Sequence, residues 1–371
     1  MDESILQFGT GKFLRCFADL FLHESLDPDR STAPVVALQS TGTERAAQIN
    51  RQEGRYRVAI RGLEDGNPID RTIEVCSLSR ALTAEHDWQK VLALAQSESL
   101  RTILSNTTEA GYALSPDDSA DDTPPRSFPA KLVAMLQARH AAGLPGVTLL
   151  PCELLDANAD RLRGLVLEQA RAWRLSDTLI EWIQAECSWH NTLVDRIVSA
   201  PADDDPLLAV DPLFAVAEPF ALWAIEGSPT VPGLTDHPAI ELVQSVEPFA
   251  LRKVRILNGA HTALVAKSLP MGFQTVRKAV GDAQVNAWLR TLLFDEIVPT
   301  LEGRIDGAEQ FATNTLERFA NPFLDHRLAD IALHHDVKLR TRLAPTLDEY
   351  HKRFGRVPKL LSEIVGSPSD A

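Results

Sequence analysis

The run Lys253-Val-Arg-Ile-Leu-Asn258-Gly-Ala-His261 places an ammonium, a carboxamide and an imidazole close together in the chain. On a regular helix Lys253 and Asn258 are separated by about 140° around the axis, so they flank a face, with His261 between them in projection. Such a trio can converge on one ligand oxygen. A lysine exchanges protons at neutral pH when burial or nearby positive charge lowers its pKa. A carboxamide N–H stabilises charge that develops on the same oxygen. The bland alternative is a polar patch on a surface helix. Asn191, in Trp189-His-Asn-Thr-Leu-Val-Asp195, is a polar residue next to apolar ones. It is either a second donor to a developing alkoxide or a turn or helix cap.

A second constellation is Phe8-Gly9-Thr10-Gly11-Lys12-Phe13-Leu14-Arg15. Two glycines one residue apart, between a strand and a helix, let the backbone approach a pyrophosphate, and the helix start offers N–H donors. Leu14 stands where the usual fingerprint has its third glycine. The second strand should end near Leu38, where an acid would hold the ribose hydroxyls of NAD. Gln39, Ser40 and Thr41 stand there instead, and Arg45 and Arg51 follow. NAD and NADP both stay open. Cofactor candidates are therefore Gly9, Gly11, Lys12, Phe13 and Gln39, with Asn106 and Thr107 after a later strand.

The elements that must carry these residues are short. Ser4–Phe8 and Pro34–Leu38 read as buried strands around a helix over Phe13–Leu26, a βαβ unit. Tyr56–Arg61, Thr72–Ser77, Thr102–Ser105 and Val147–Leu150 read as further strands. Asp87–Ala95, Ala130–Ala142 and Ala159–Trp173 read as helices between them. The expected fold is an α/β, Rossmann-like dinucleotide-binding domain over residues 1–245. An all-helical C-terminal substrate domain is expected over 246–371, with helices at Leu251–Leu269, Ala283–Leu301, Gly307–Phe319, His326–His334 and Leu347–Phe354. The polar, proline-rich stretch Ser115–Pro125 and the acidic run Ala202–Pro206 read as solvated loops. Glu109 follows the strand Thr102–Ser105, either near the nicotinamide or as a loop-fixing carboxylate. Glu226 is a candidate to close the site.

Composition narrows the function classes. In 371 residues, 37 basic side chains face 51 acidic ones, a net charge of −14. That balance argues against a nucleic-acid or anionic-membrane partner. Four dispersed cysteines match no zinc or redox spacing, so no metal is expected. No apolar run is long enough to span a bilayer and no secretory signal is visible, so a cytoplasmic location is expected. Nothing in the sequence sets the oligomeric state.

Together the motifs resemble the long-chain mannitol dehydrogenase family, most closely its tagaturonate reductase (altronate oxidoreductase) branch. The resemblance spans nearly the whole chain. It rests on Leu6–Arg15, Ser105-Asn-Thr-Thr-Glu-Ala-Gly111, Phe128–Leu132, Pro151-Cys-Glu-Leu-Leu155, Thr192–Ile197, Lys253–Leu264 and Arg318-Phe-Ala-Asn-Pro-Phe323. It implies a metal-free NAD(P)-dependent oxidoreductase for a small sugar acid or polyol. Lys253 matches the family's catalytic lysine, Asn191 and Asn258 its alkoxide-holding asparagines, and His261 its positioning histidine. Lys338 matches a lysine at the substrate's polar end. An arginine that the mannitol branch has eight residues earlier is Asp330 here. Arg318, Asn321 and His326 stand between pocket shaping and helix-end packing. The implied reaction interconverts a keto sugar acid and its alcohol, tagaturonate and altronate first. The alternatives are fructuronate/mannonate, a polyol such as mannitol or arabinitol, or a non-catalytic dinucleotide sensor. The site is expected in a cleft between the domains.

Overall fold

The computed structural model describes residues 3–25 and 34–366. Leu26, the expected end of the first helix, lies outside them. The chain divides into two compact units. One comprises Met1–Ile60, Arg71–Ala217 and Ala221–Val246; the other comprises Arg61–Asp70, Glu218–Phe220 and Glu247–Ala371.

In chain order the strands run β1 (Ile5–Phe8), β2 (Val35–Gln39), β3 (Tyr56–Glu64), β4 (Asn67–Val75), β5 (Leu78–Thr83), β6 (Thr102–Ser105), β7 (Thr148–Pro151) and β8 (Ser188–Trp189), all in the first unit except Arg61–Asp70 of β3 and β4. Six of them form a parallel sheet in the order β5-β2-β1-β6-β7-β8. β1 pairs with β2 on one side and β6 on the other, so the strand order reverses there. Ligands of open α/β sheets bind at the carboxyl ends of the strands beside such a reversal. Phe8 is level with Leu38 and Ser105. The loops that leave β1 and β6 therefore begin side by side. Ile5, Leu6, Val35, Val36 and Leu104 are fully enclosed, as strands covered on both faces require. The helices are α1 (Lys12–Arg15), α2 (Ala18–Ser25), α3 (Glu44–Arg51), α4 (Ala84–Ala95), α5 (Phe128–Ala141), α6 (Asn158–Ala172) and α7 (Asp177–Glu186). Trp88, Leu132, Leu136, Val166 and Ile183 from α4 to α7 join Phe8, Val36 and Ile103 in one apolar core.

Two local expectations change. The helix expected from Phe13 breaks at Cys16–Phe17 into α1 and α2. The buried Tyr56 hydroxyl donates to the Arg15 carbonyl at 2.9 Å and the Arg196 guanidinium to the Cys16 carbonyl at 3.1 Å. Those carbonyls are thereby drawn to side chains distant in sequence, which repetition in the local sequence cannot reveal. The runs Tyr56–Arg61 and Thr72–Ser77 do not join the parallel sheet. They lie in β3 and β4, joined by Asp65-Gly66, both with positive φ (51° and 76°). Such a two-residue turn makes a hairpin, whereas a parallel crossover needs a dozen residues or more. With β10 (Val198–Ser199) and β11 (Ala215–Ala217), following β9 (Thr192–Asp195), they form a separate four-stranded sheet. The strand β5, which follows β4 directly, takes the sheet edge instead. β12 (Leu222–Glu226) pairs with β9 and β13 (Ile240–Val243) in a third sheet.

The second unit is helical. α8 (Glu247–Arg252) runs through a π-helical stretch, Lys253–Asn258, into α9 (Gly259–Ser268). α10 (Val276–Gly281) precedes α11 (Ala283–Thr291), which continues through a second π stretch, Leu292–Ile297. After α12 (Ala308–Phe319) and α13 (Leu328–Ile331), α14 (His335–Lys338) passes through a third, Leu339–Leu343, into α15 (Ala344–Phe354) and then α16 (Lys359–Val365). The helix expected over His326–His334 is cut to one turn, because His334 takes a left-handed conformation at φ 56° and opens α14. The first π stretch packs against the other two. Gly259 sits at that junction. A Cβ there would lie 3.3 Å from Leu343 Cδ2 and 3.9 Å from Ile297 Cδ1. A small residue lets the three segments approach.

Candidate active site

In the first unit the loops after β1 and β6 meet. Gly9 has φ 131°, and a Cβ on it would lie 3.1 Å from Leu14 Cδ1 and 3.2 Å from the Asn106 carbonyl oxygen. Gly9 is thus required by conformation and contact together. Gly11 is different. Its φ of −68° suits any residue, and a Cβ there would meet nothing within 4 Å. It keeps space open at the mouth of the turn. Lys12 is exposed, and Phe13 stacks on Phe17 with centroids 4.9 Å apart. Because α1 is a single turn, it offers its first N–H groups rather than a long helix dipole. Beneath the turn, Gln7 Nε2 donates to the Gly9 carbonyl at 3.0 Å and to Asp19 Oδ2 at 3.2 Å. Complete burial pushes the Asp19 carboxyl up to about 7.

The polar residues around this turn are held by the protein itself. Gln39 Oε1 accepts from Ala46 N at 2.7 Å and its Nε2 donates to the Thr41 carbonyl at 2.8 Å, which ties the end of β2 to α3. Asn106 Nδ2 donates to the Cys152 carbonyl at 2.8 Å. Thr107 donates through N and Oγ1 to Glu153 Oε1, at 2.8 and 3.1 Å. Glu153, which sequence reasoning did not single out as a site residue, is the hub. Its Oε2 also accepts from Ser105 Oγ and the Tyr112 hydroxyl, both at 3.0 Å. Burial raises its carboxyl above the usual value, and these donors offset only part of that rise. The available signal was a lone acid directly after the apolar strand, in Pro151-Cys-Glu153. Glu109 is exposed on a short 3₁₀ turn after Thr108, whose φ is 73°. Glu226 Oε2 accepts from Val246 N at 3.3 Å.

Asn191 is buried at the start of α6. Its Oδ1 accepts from Ala159 N at 3.0 Å and Asp160 N at 3.2 Å, and its Nδ2 donates to Asp160 Oδ2 at 2.8 Å. It therefore satisfies two of the orphan donors of that helix. A carboxamide carries two N–H donors, so one remains for another acceptor.

In the second unit the π stretch alters the expected spacing. Hydrogen bonds from i to i+5 bring the fifth residue on to the next turn above. Lys253 and Asn258 thus stack along one face instead of flanking it at the angle of a regular α-helix. Both are half-buried. His261 is 8% exposed, and its Nε2 has no hydrogen-bond partner. Its ring lies 4.1 Å from Phe319 and 5.1 Å from His326, centroid to centroid. Burial above all, then the positive groups at His326, Arg318, Arg342 and Lys338, hold its pKa far below the usual imidazole value. His261 is therefore neutral across physiological pH. His326 is also lowered by burial, against the opposing charge of Asp330. Lys338 Nζ donates to the Ile331 carbonyl at 2.7 Å, and burial followed by Arg342 lowers its pKa. The Arg318 guanidinium is committed to Glu218 at 2.7–3.1 Å, both buried, and lies 4.3 Å from the Phe220 ring centroid. Asn321 holds the Arg61 carbonyl at 3.1 Å. The structure thus gathers His261, His326, Lys338 and Arg318 in the helical unit. It gathers Gly9, Gly11, Asn106 and Thr107 at one sheet edge. Among the described residues no three His, Cys, Asp or Glu side chains form a metal-binding group, and no helix is long and apolar enough to cross a membrane.

Comparison with known proteins follows this division. Residues 3–237 match the mannitol dehydrogenase Rossmann domain, and residues 245–368 match the mannitol dehydrogenase C-terminal domain. The altronate oxidoreductase of Bacillus subtilis is 38% identical over 97% of this chain and 77% of its own length. That of Klebsiella pneumoniae is 36% identical over 97% of the chain and 78% of its own length. Among solved structures, a D-sorbitol dehydrogenase superposes with a TM-score of 0.84 at 24% identity, over 94% of this chain and 76% of its own. Mannitol 2-dehydrogenase of Pseudomonas fluorescens, solved with NAD and D-mannitol, gives 0.79 at 22% identity, over 98% and 77%. The two domain matches, which between them cover nearly all of the chain, and the 38% identity over 97% of it show that this chain belongs to the mannitol dehydrogenase family of oxidoreductases acting on CH–OH groups.

Proposed function

We propose that the protein is an NAD(H)-linked reductase of a keto sugar acid, converting tagaturonate to altronate reversibly. The observation that carries this reading is the 36–38% identity to altronate oxidoreductases over 97% of the chain. The residues at the sheet edge fit a nicotinamide dinucleotide. Gly11 leaves open the volume that a Cβ would fill, and Gly9 allows the turn that presents the N–H groups of α1. Gly9, Gly11, Lys12 and Phe13 would hold its pyrophosphate end. Asn106 and Thr107, with their side chains locked to the Cys152 carbonyl and to Glu153, would border the nicotinamide end with fixed backbone. When bound, this group supplies or accepts the hydride.

The rest of the chemistry belongs to the chain. As the ketone carbon is reduced, charge gathers on its oxygen, and donors placed there act where the transition state gains most. Asn258 and the spare N–H of Asn191 are assigned that role. Protonated Lys253 delivers the proton to the oxygen, and neutral Lys253 removes it in the oxidation direction. Neutral His261 orients the substrate through its unpartnered Nε2. The test is the rate at which NADH, and separately NADPH, is consumed with tagaturonate, fructuronate, fructose and related ketoses. Tagaturonate should give the highest kcat/KM with NADH. A higher value with fructuronate or a neutral ketose would replace the substrate. Tight NADH binding without turnover of any compound would replace the enzyme by a sensor.

A further inference from the structure

The third π stretch carries a guanidinium that the reaction described above does not use. Arg342 is half-buried, and its Nη1 lies 3.4 Å from Thr262 Oγ1. Thr262 follows His261, and its hydroxyl donates to the Asn258 carbonyl at 2.8 Å. Arg342 therefore reaches the first turn of α9, which carries His261, next to the backbone carbonyl of Asn258. Among the described residues no carboxylate pairs with it, although burying an unpaired charge is costly. Arg318, the other guanidinium whose charge reaches His261, is neutralised by Glu218. Arg342 is not. Lys338, four residues earlier, adds a second positive charge toward His261. Beside them lies a buried imidazole Nε2 with nothing to bond. An uncompensated guanidinium, an ammonium and an unpartnered neutral imidazole together suit an anionic ligand that also carries hydroxyls.

We infer that Arg342 receives the carboxylate of the substrate, and so selects a sugar acid over a neutral ketose. Its planar fork matches a carboxylate bidentately, which a lysine head cannot do. Arg342 lies four residues beyond Lys338, so the two positive charges sit one helix turn apart. This inference rests on the proposed sugar-acid activity, and the experiment separates the two.

Wild type, Arg342→Met and Arg342→Lys are assayed with tagaturonate and with fructose under NADH, and NADH affinity is measured by fluorescence. Wild-type turnover of tagaturonate establishes the sugar-acid reading independently of any variant. Given that, Arg342→Met should lower kcat/KM for tagaturonate about 10- to 100-fold, chiefly through KM, with fructose turnover and NADH affinity unchanged. Arg342→Lys should recover part of the loss, having the charge but not the fork. An unchanged KM for tagaturonate in Arg342→Met would overturn the inference. So would an equal loss with fructose, which would mark a packing role. Failure of the wild type on every sugar acid would overturn the activity itself.

Discussion

The sheet edge of the first unit and the helical cluster of the second treat polar groups in opposite ways. Around the Gly9–Gly11 turn, Gln39, Asn106, Thr107 and Glu153 already hydrogen-bond to backbone or to one another, and at the start of α6 Asn191 is tied to Ala159 and Asp160. In the helical unit, His261 Nε2 is buried without a partner and Arg342 has no described counter-ion. A region whose side chains are spent on the scaffold recognises a ligand by backbone shape and open space. A region with unspent side chains recognises it by functional group. Under the proposed activity, a cofactor common to many enzymes would be met by the first and a particular sugar acid by the second. The unmet groups are held at a cost to stability, which is expected where function needs them.

The largest expected effect is that of Lys253→Ala. Turnover should fall by about 10²–10⁴-fold while NADH affinity stays near that of wild type. Retained activity across pH would remove Lys253 from proton transfer. Next, the two asparagines should part company. Asn258→Ala should lose about 10²–10³-fold in kcat with little change in melting temperature. Asn191→Ala should lose activity and also about 1 kcal/mol of stability, because it caps α6. Equal melting temperatures for the two variants would break the distinction between spent and unspent groups.

The glycines give a smaller but cleaner effect. Gly11→Ala should weaken NADH binding at least about tenfold while leaving stability unchanged or raised by about 0.4–1 kcal/mol, since its φ is ordinary and its surroundings empty. Calorimetry and thermal denaturation read the two separately. Normal NADH affinity would move the cofactor away from this turn. A separate effect, read by pH rather than by turnover, concerns Asp19. Its carboxyl is raised to about 7 from an unfolded value of about 4, so the folded state holds the proton more tightly. That contribution is complete below about pH 4 and is lost as pH rises through about 7. Denaturant midpoints of the wild type should fall over that window, and Asp19→Asn should flatten the fall. An identical slope in the variant would assign the dependence elsewhere.

Local pattern carried much of this molecule into view. Strand-length apolar runs, two glycines after the first strand and the Lys253–His261 run can be read within windows of a few residues, because strand burial and tight turns are short-range requirements. They sufficed for the α/β and helical halves and for the family. The break of the first helix was not legible, since Tyr56, distant in sequence, takes the Arg15 carbonyl. The departure of β3 and β4 from the parallel sheet was legible in principle, in the Asp65-Gly66 turn that demands a hairpin.

What the amino-acid sequence determined by itself was therefore the inventory: which chemical groups are present, on which kind of element, and in which family. Tertiary packing decided which of them are available. The fit of Gly259 against Leu343 and Ile297 accompanies the π register that stacks Lys253 with Asn258. Glu218 neutralises Arg318 across 100 positions, while Arg342 meets Thr262 across 80 and keeps its charge. Whether a polar group is spent or free depends on partners brought together from distant parts of the chain, and no local periodicity encodes them.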